Sequence, residues 1–95
     1  MSNYYTRKYL RKIRNEIPIN TVISKLLDLE VRQRDPRLRF RCPLCNHFHT
    51  ATNEQTNLAR CFHCRKNFNP IDLVMEVKLC SFLDAVKQLS DFIQP

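Results

Sequence analysis

The chain has no glycine among its 95 residues. That argues against a flexible linker, which is usually built from glycine and serine. It also removes the residue that most readily takes a left-handed turn. There is no phosphate loop and no nucleophile motif. The nine acidic residues are scattered, with no carboxylate cluster for phosphoryl transfer. An enzyme acting alone is therefore not expected. No apolar run is long enough to cross a bilayer. The opening stretch, MSNYYTRKYLRKIRNEIP, is basic with no apolar segment behind it, so it does not read as a secretory leader. A reducing, cytoplasmic setting is expected, where paired cysteines serve metals or redox chemistry more readily than structural disulfides. Internal repeats and low-complexity segments are also lacking.

What is present suits one small domain. Hydrophobic residues make up 43% of the chain, enough for a core. A chain this short buries a smaller fraction of its surface than a long one, so a covalent or metal staple would help. The charge is lopsided: the formal net is +7. Residues 1–41 hold 11 Lys/Arg against 4 Asp/Glu, and residues 42–95 hold 5 against 5. All the excess precedes the first cysteine. A basic front of this kind points to a polyanion, most often nucleic acid. The plainer alternative is a solubilising face.

Four pieces follow one another. Residues 4–17 read as a basic helical arm, with Tyr5, Tyr9, Ile13 and Ile17 every fourth residue and cations on the other faces. Residues 19–29 read as an amphipathic helix on Ile19, Val22, Ile23, Leu26 and Leu27, capped by Asn20 or Thr21. Residues 37–62 read as short strands, at 37–42, about 47–52 and about 57–62. In the first strand Leu38, Phe40 and Cys42 face one way, and Arg37, Arg39 and Arg41 the other. Residues 70–94 read as two helices. The first has Asn69 as cap, Pro70 at the first position and Asp72 in the first turn. The second begins at Ser81 with Phe82, Ala85, Val86, Leu89 and Ile93 on one face. The expected division is an arm, 1–17, and a domain, 18–95.

The cysteines are spaced C-x2-C-x15-C-x2-C: Cys42, Cys45, Cys61 and Cys64. Two such turns aim four thiolates at one point and complete a tetrahedron around Zn²⁺, the pattern of a zinc ribbon. A four-cysteine site leaves no position open for water, so the zinc is expected to be structural. Iron could use the same ligands, although its knuckles usually carry glycine. A redox dithiol would need a βαβ setting that the sequence does not offer. His47, His49 and His63 are expected beside the site and not in it. Cys80 has no partner at knuckle spacing and reads as a small buried hydrophobe. Asn46 is expected to take the left-handed turn after the first pair. After the second pair, Lys66 and Asn67 are expected to shape the turn in place of Arg65.

The order of parts resembles the N-terminal zinc-binding domain of bacterial DnaG-type DNA primases. The resemblance rests on Cys42-Pro43, Cys61-Phe62-His63-Cys64, Ile71 to Val77, and Ser81-Phe82 with Ala85-Val86, and it covers about residues 17–92. It implies a small α+β zinc ribbon: a short antiparallel sheet carrying one zinc site, flanked by an N-terminal helix and two C-terminal helices. It also implies contact with single-stranded template rather than primer synthesis, because the catalytic core of a primase is not in this sequence. In the family the second ligand is usually histidine, where this chain has Cys45. The glycine-rich turn after the last ligand is here Arg65-Lys66-Asn67-Phe68-Asn69.

For binding, Arg37, Arg39 and Arg41, with Arg32 and Arg34 just before them, would line one strand face. Arg60, Arg65 and Lys66 would join them in tracking a phosphate backbone. Phe48, Phe62 and Phe68 are candidate stacking platforms; the alternative is that they are core, which is favoured for Phe40 and Phe62. Arg11 and Lys12, with Arg7, Lys8 and Arg14, would add salt-sensitive affinity, or the arm's Tyr/Ile stripe would dock. Three functions follow: a stand-alone zinc-stabilised DNA-binding accessory in replication or recombination of a bacterium or mobile element, an adaptor that docks a larger nucleic-acid enzyme, and a primase fragment or subunit. DNA, single-stranded by preference, is the expected partner.

Overall fold

The alternating arginine stretch becomes β2 (Arg37–Phe40) in the computed structural model, which describes residues 5–34 and 37–93 without the side chains of Gln33 and Arg34. It is the second strand of a five-stranded antiparallel sheet. The order is β1 (Val31–Arg34), β2, β3 (Thr50–Asn53), β4 (Leu58–Cys61) and β5 (Lys66–Phe68), each pairing with the next. The three expected strands shorten to β2, β3 and β4, and two more frame them. β1 has a single apolar residue and β5 only three residues, so neither carries a period-two signal.

Alternation gives the sheet two different faces. Leu38, Phe40, Thr50, Thr52, Ala59, Cys61 and Phe68 are buried on one side. The Thr52 hydroxyl accepts the Leu38 N–H at 3.0 Å, which ties β2 to β3. The helices cover this side, and the arginines stand on the other.

Helix α1 (Arg7–Glu16) starts at Thr6, whose hydroxyl accepts the Tyr9 N–H at 3.0 Å. The core does not follow the division expected at residue 17. Ile13 is 0% exposed and Ile17 2%, and α1 packs on the two C-terminal helices. Burial of each isoleucine stabilises this packing by roughly 1.5–3 kcal/mol. The Tyr9 hydroxyl bonds the Ser90 hydroxyl on the last helix.

The helix expected over 19–29 is shorter and wider. An α-helical turn, α2 (Ile19–Thr21), passes into a π-helix (Val22–Leu26) in which the Leu27 N–H reaches back to the Val22 carbonyl. Asp28, at φ 50°, ends it. Neither Asn20 nor Thr21 caps it. Asn20 donates instead to Glu54 at 2.7 Å, and the free Ile19 N–H is taken at 2.8 Å by Oδ1 of Asn57, from the β3–β4 turn. The same Asn57 amide donates to the carbonyls of Arg14 at 2.7 Å and Ile17 at 2.8 Å. One side chain thus joins the end of α1, the start of α2 and the sheet.

Helix α3 (Pro70–Lys78) carries the expected cap: the Asn69 side chain accepts the Asp72 N–H and the Asp72 carboxylate accepts the Asn69 N–H. Leu79 closes it in the left-handed conformation. Helix α4 (Phe82–Ile93) begins at Ser81, whose hydroxyl accepts the Asp84 N–H at 3.1 Å. Ala85, Val86 and Leu89 are buried, but the ends of the expected face are open: Phe82 is 42% exposed and Ile93 39%. Cys80, between these helices, is half-buried, with its thiol near the Val74 carbonyl and the Gln88 amide.

Candidate functional site

The first cysteine pair leaves the end of β2 and the second leaves the end of β4. Two backbone features shape these knuckles. Asn46 takes φ 62°, as its residue type favours. Arg65 takes φ 59°, so the left-handed turn falls there and not at Lys66-Asn67, which β5 claims. Pairing of Lys66 with Cys61 and of Asn67 with Arg60 holds those two extended, leaving the reversal to the residue after Cys64.

The four sulfurs lie within 4.8 Å of one another. Cys42 and Cys64 are 3.7 Å apart, and Cys45 and Cys61 3.5 Å. Four Zn–S bonds of 2.3 Å in a tetrahedron put neighbouring sulfurs about 3.8 Å apart, so the spacing matches a zinc site and is too long for a disulfide. The N–H groups of Leu44 and Cys64 point at Cys42 and Cys61 sulfur, at 3.4 and 3.5 Å, as donors to thiolates do. A further sign is Thr50. It is 0% exposed, stands opposite Cys61 across β3–β4, and its hydroxyl has no other partner. A buried hydroxyl without a partner is costly; a metal-bound Cys61 thiolate is the acceptor beside it. The donor set holds one structural Zn²⁺.

The thiols ionise unequally. Burial pushes Cys61 up, but the Cys64 N–H and thiol, the Thr50 hydroxyl and the Cys45 thiol outweigh it and hold Cys61 at about 6. Cys64 donates to that sulfur and, with burial added, is pushed up to about 12. Burial raises Cys45, partly offset by the His47 N–H. The first thiolate therefore forms at Cys61, and the metal must displace protons from Cys45 and Cys64.

His47, His49 and His63 are exposed and stack on one another, with ring centroids 4.0 Å apart for His47–His63 and 6.1 Å for His47–His49. Among the described residues, the group able to hold a metal is the four cysteines alone.

The open face of the sheet carries a second feature. The strand registers align Arg32, Arg39, Ala51, Arg60 and Asn67 in one row across all five strands. The row contains three arginines and no acid, and like charges directly opposite, as at Arg32 and Arg39, repel. Arg60 is steadied by donating to the Asn67 side chain at 3.2 Å. Arg37 stands on the same face, and with Asn53, Leu58, Arg60, Phe62 and Asn67 it lines a groove of ≈ 260 Å³.

The other expected binding residues scatter. Arg41 leaves the sheet and donates to the Asn46 carbonyl at 3.1 Å. Phe48 is half-buried beneath the Arg32 guanidinium, 4.3 Å from its ring centre, with Arg41 at 5.3 Å, so it supports arginines. Phe68 pairs with Ala59 on the inner face and is 3% exposed, which removes it as a platform. Phe62, expected in the core, is 57% exposed, because the chain turns out of β4 directly after Cys61. Arg65 and Lys66 are exposed, but Lys66, opposite Cys61, is out of the arginine row. Arg11 and Lys12 lie on α1, away from the sheet. The Arg34 side chain lies outside the described residues. Arg32 is the row member that β1, unread in the sequence, brings in.

Among the described residues, no helix is long and apolar enough to cross a membrane. A search of curated proteins found no significant match. The model of the CHC2 zinc finger family, the zinc ribbon of DnaG type, matches residues 5–94. With that match spanning nearly the whole chain and the four sulfurs at zinc spacing, this chain belongs to the CHC2 zinc finger family.

Proposed function

We propose that this zinc ribbon binds single-stranded DNA across the open face of its sheet, as a non-catalytic, cytoplasmic accessory in replication, priming or recombination of a bacterium or mobile element. The observation that carries the reading is the cross-strand row Arg32–Arg39–Ala51–Arg60. Aligned arginines with no acid in their row oppose folding and suit a chain of phosphates. Phe62, exposed at the edge of the same groove, supplies a surface on which a base can stack, and this favours unpaired strands. Family membership supports an encounter with nucleic acid in general.

The test is an anisotropy titration of a labelled oligothymidine with zinc-loaded protein. Arg39→Ala with Arg60→Ala should weaken binding about tenfold or more and flatten the salt slope by about 1.4, at about 0.7 per phosphate contact. Phe62→Ala should cost about 1–3 kcal/mol. Unchanged affinity in both variants, with zinc retained, refutes the assignment.

A second reading, an adaptor, is favoured by one observation. Leu79 is 88% exposed and Phe82 and Leu83 are each 42% exposed at the corner of α3 and α4. An adaptor would bind naked DNA poorly and hold a protein partner through this corner even in high salt.

A further inference from the structure

We infer that α1 carries a second nucleic-acid surface, for the phosphates of a duplex, so that the protein holds a junction between single and double strands. Arg7, Lys8, Arg11, Lys12 and Arg14 are all exposed on this ten-residue helix, and Glu16 is its one acid. The arrangement works against the helix. Arg7 and Lys8 sit at its positive end, where no acid offsets them. Arg7 with Arg11 and Lys8 with Lys12 are like charges four residues apart. The helix is held in spite of this by Ile13 and Ile17 in the core and by the Thr6 cap. Arg14 suits the last turn and Lys12 has Glu16 four residues on, but Arg7, Lys8 and Arg11 oppose their own element with no acid at helical spacing, and they point to an external anion.

The chemistry of the surface narrows that anion. The apolar stripe of α1 is already taken up by the core, so no free apolar face remains to enter a bilayer. The aromatic rings are engaged too: Tyr5 and Tyr9 stack on each other at 5.6 Å, and the Tyr9 hydroxyl bonds Ser90. What remains exposed is a groove of ≈ 550 Å³ lined by Lys8, Arg11, Lys12, Asn15 and Glu16, with Thr6 and the already stacked Tyr9 at its wall. Such a surface touches phosphates without stacking on bases. Preference for single strands comes largely from stacking, whereas a duplex offers the denser charge, one per about 1.7 Å of axis. Duplex is therefore the occupant that α1 favours. Because α1 packs on α3 and α4 while the arginine row faces away from the helices, the two surfaces can be filled together. The joint use of both rests on the sheet-face reading above; the α1 surface does not.

The experiment uses zinc-loaded full chain and three labelled probes: a single strand, a blunt duplex, and a duplex with a single-stranded tail. Lys8→Ala, Arg11→Ala and Lys12→Ala combined should weaken duplex binding about tenfold or more and lower its salt slope by about three. Single-strand binding should fall far less. Arg39→Ala with Arg60→Ala should do the reverse, and the tailed duplex should bind the wild type more tightly than either simple probe. Equal losses on both probes in the α1 variant, or no duplex binding by the wild type, overturn the inference. If the α1 variant behaves as expected but the sheet variant binds single strands normally, the α1 surface stands and the sheet reading and the junction fail. Circular dichroism and zinc content confirm that each variant is folded.

Discussion

Replacement of Asn57 by alanine should be the most damaging change on the surface-facing turns. Its amide satisfies three backbone groups, the Ile19 N–H and the Arg14 and Ile17 carbonyls. The Ile19 and Ile17 bonds are buried, and a buried group left unpaired costs about 1–3 kcal/mol. The Arg14 carbonyl is half-buried and water can replace its partner. Asn57 also sits at φ 56°, where alanine costs about 1 kcal/mol more than asparagine. Some water will enter the space left by the amide, so about 3–5 kcal/mol is expected in all, a large share of the 5–15 kcal/mol typical of a domain. Asn57→Gly separates the causes: it loses the same bonds without the backbone penalty and should be about 1 kcal/mol less damaging than Asn57→Ala. The assay is urea unfolding followed by circular dichroism at saturating zinc. A loss under 1 kcal/mol for Asn57→Ala, or a wild-type-like Asn57→Gly, would refute the view that this amide clamps α1 and α2 to the sheet.

Three further outcomes are expected. Thr50→Val keeps the shape but removes the donor beside Cys61, and should lower zinc affinity about 10-fold or more in competition with a chromogenic chelator. Because Cys45 and Cys64 hold their protons above the ordinary thiol range, zinc competes with protons. Its apparent affinity should therefore fall as pH falls, by about tenfold per unit for each proton displaced and so about 100-fold or more near neutrality; a pH-independent constant would contradict this. Leu79→Gly should stabilise the protein by about 0.5–1 kcal/mol in thermal or urea unfolding, since Leu79 has φ 53° and, at 88% exposure, little packing to lose.

The parts of this molecule written in short-range patterns were legible. Cysteine spacing locates the metal, Asn46 the left-handed turn, and Asn69-Pro70 the start of α3. The alternation Arg37 to Phe40 separates core from open face. What was hidden depends on contacts distant in sequence. The capping of α2 by Asn57 spans 38 residues, and nothing local marks it apart from other turn asparagines. Arg32 joins the row only once β1 pairs with β2, and β1 has one apolar residue to announce it. Phe62 and Phe68 are alike in type, and only the register of β4 with β5 puts Phe68 inside and leaves Phe62 out. Arg65 adopts a conformation its side chain does not favour because pairing of the next residues leaves the turn no other place. α1 was visible as an amphipathic helix, but the depth to which Ile13 and Ile17 enter the core follows from α3 and α4 and not from the arm itself.

The most direct test of the central claim is amide chemical-shift mapping of the zinc-loaded protein titrated with oligothymidine. The account predicts the largest shifts at Arg39, Ala51, Arg60 and Phe62, with Leu79, Phe82 and Leu83 unmoved. Shifts confined to the α3–α4 corner, or none along the arginine row at saturating oligonucleotide, would contradict it.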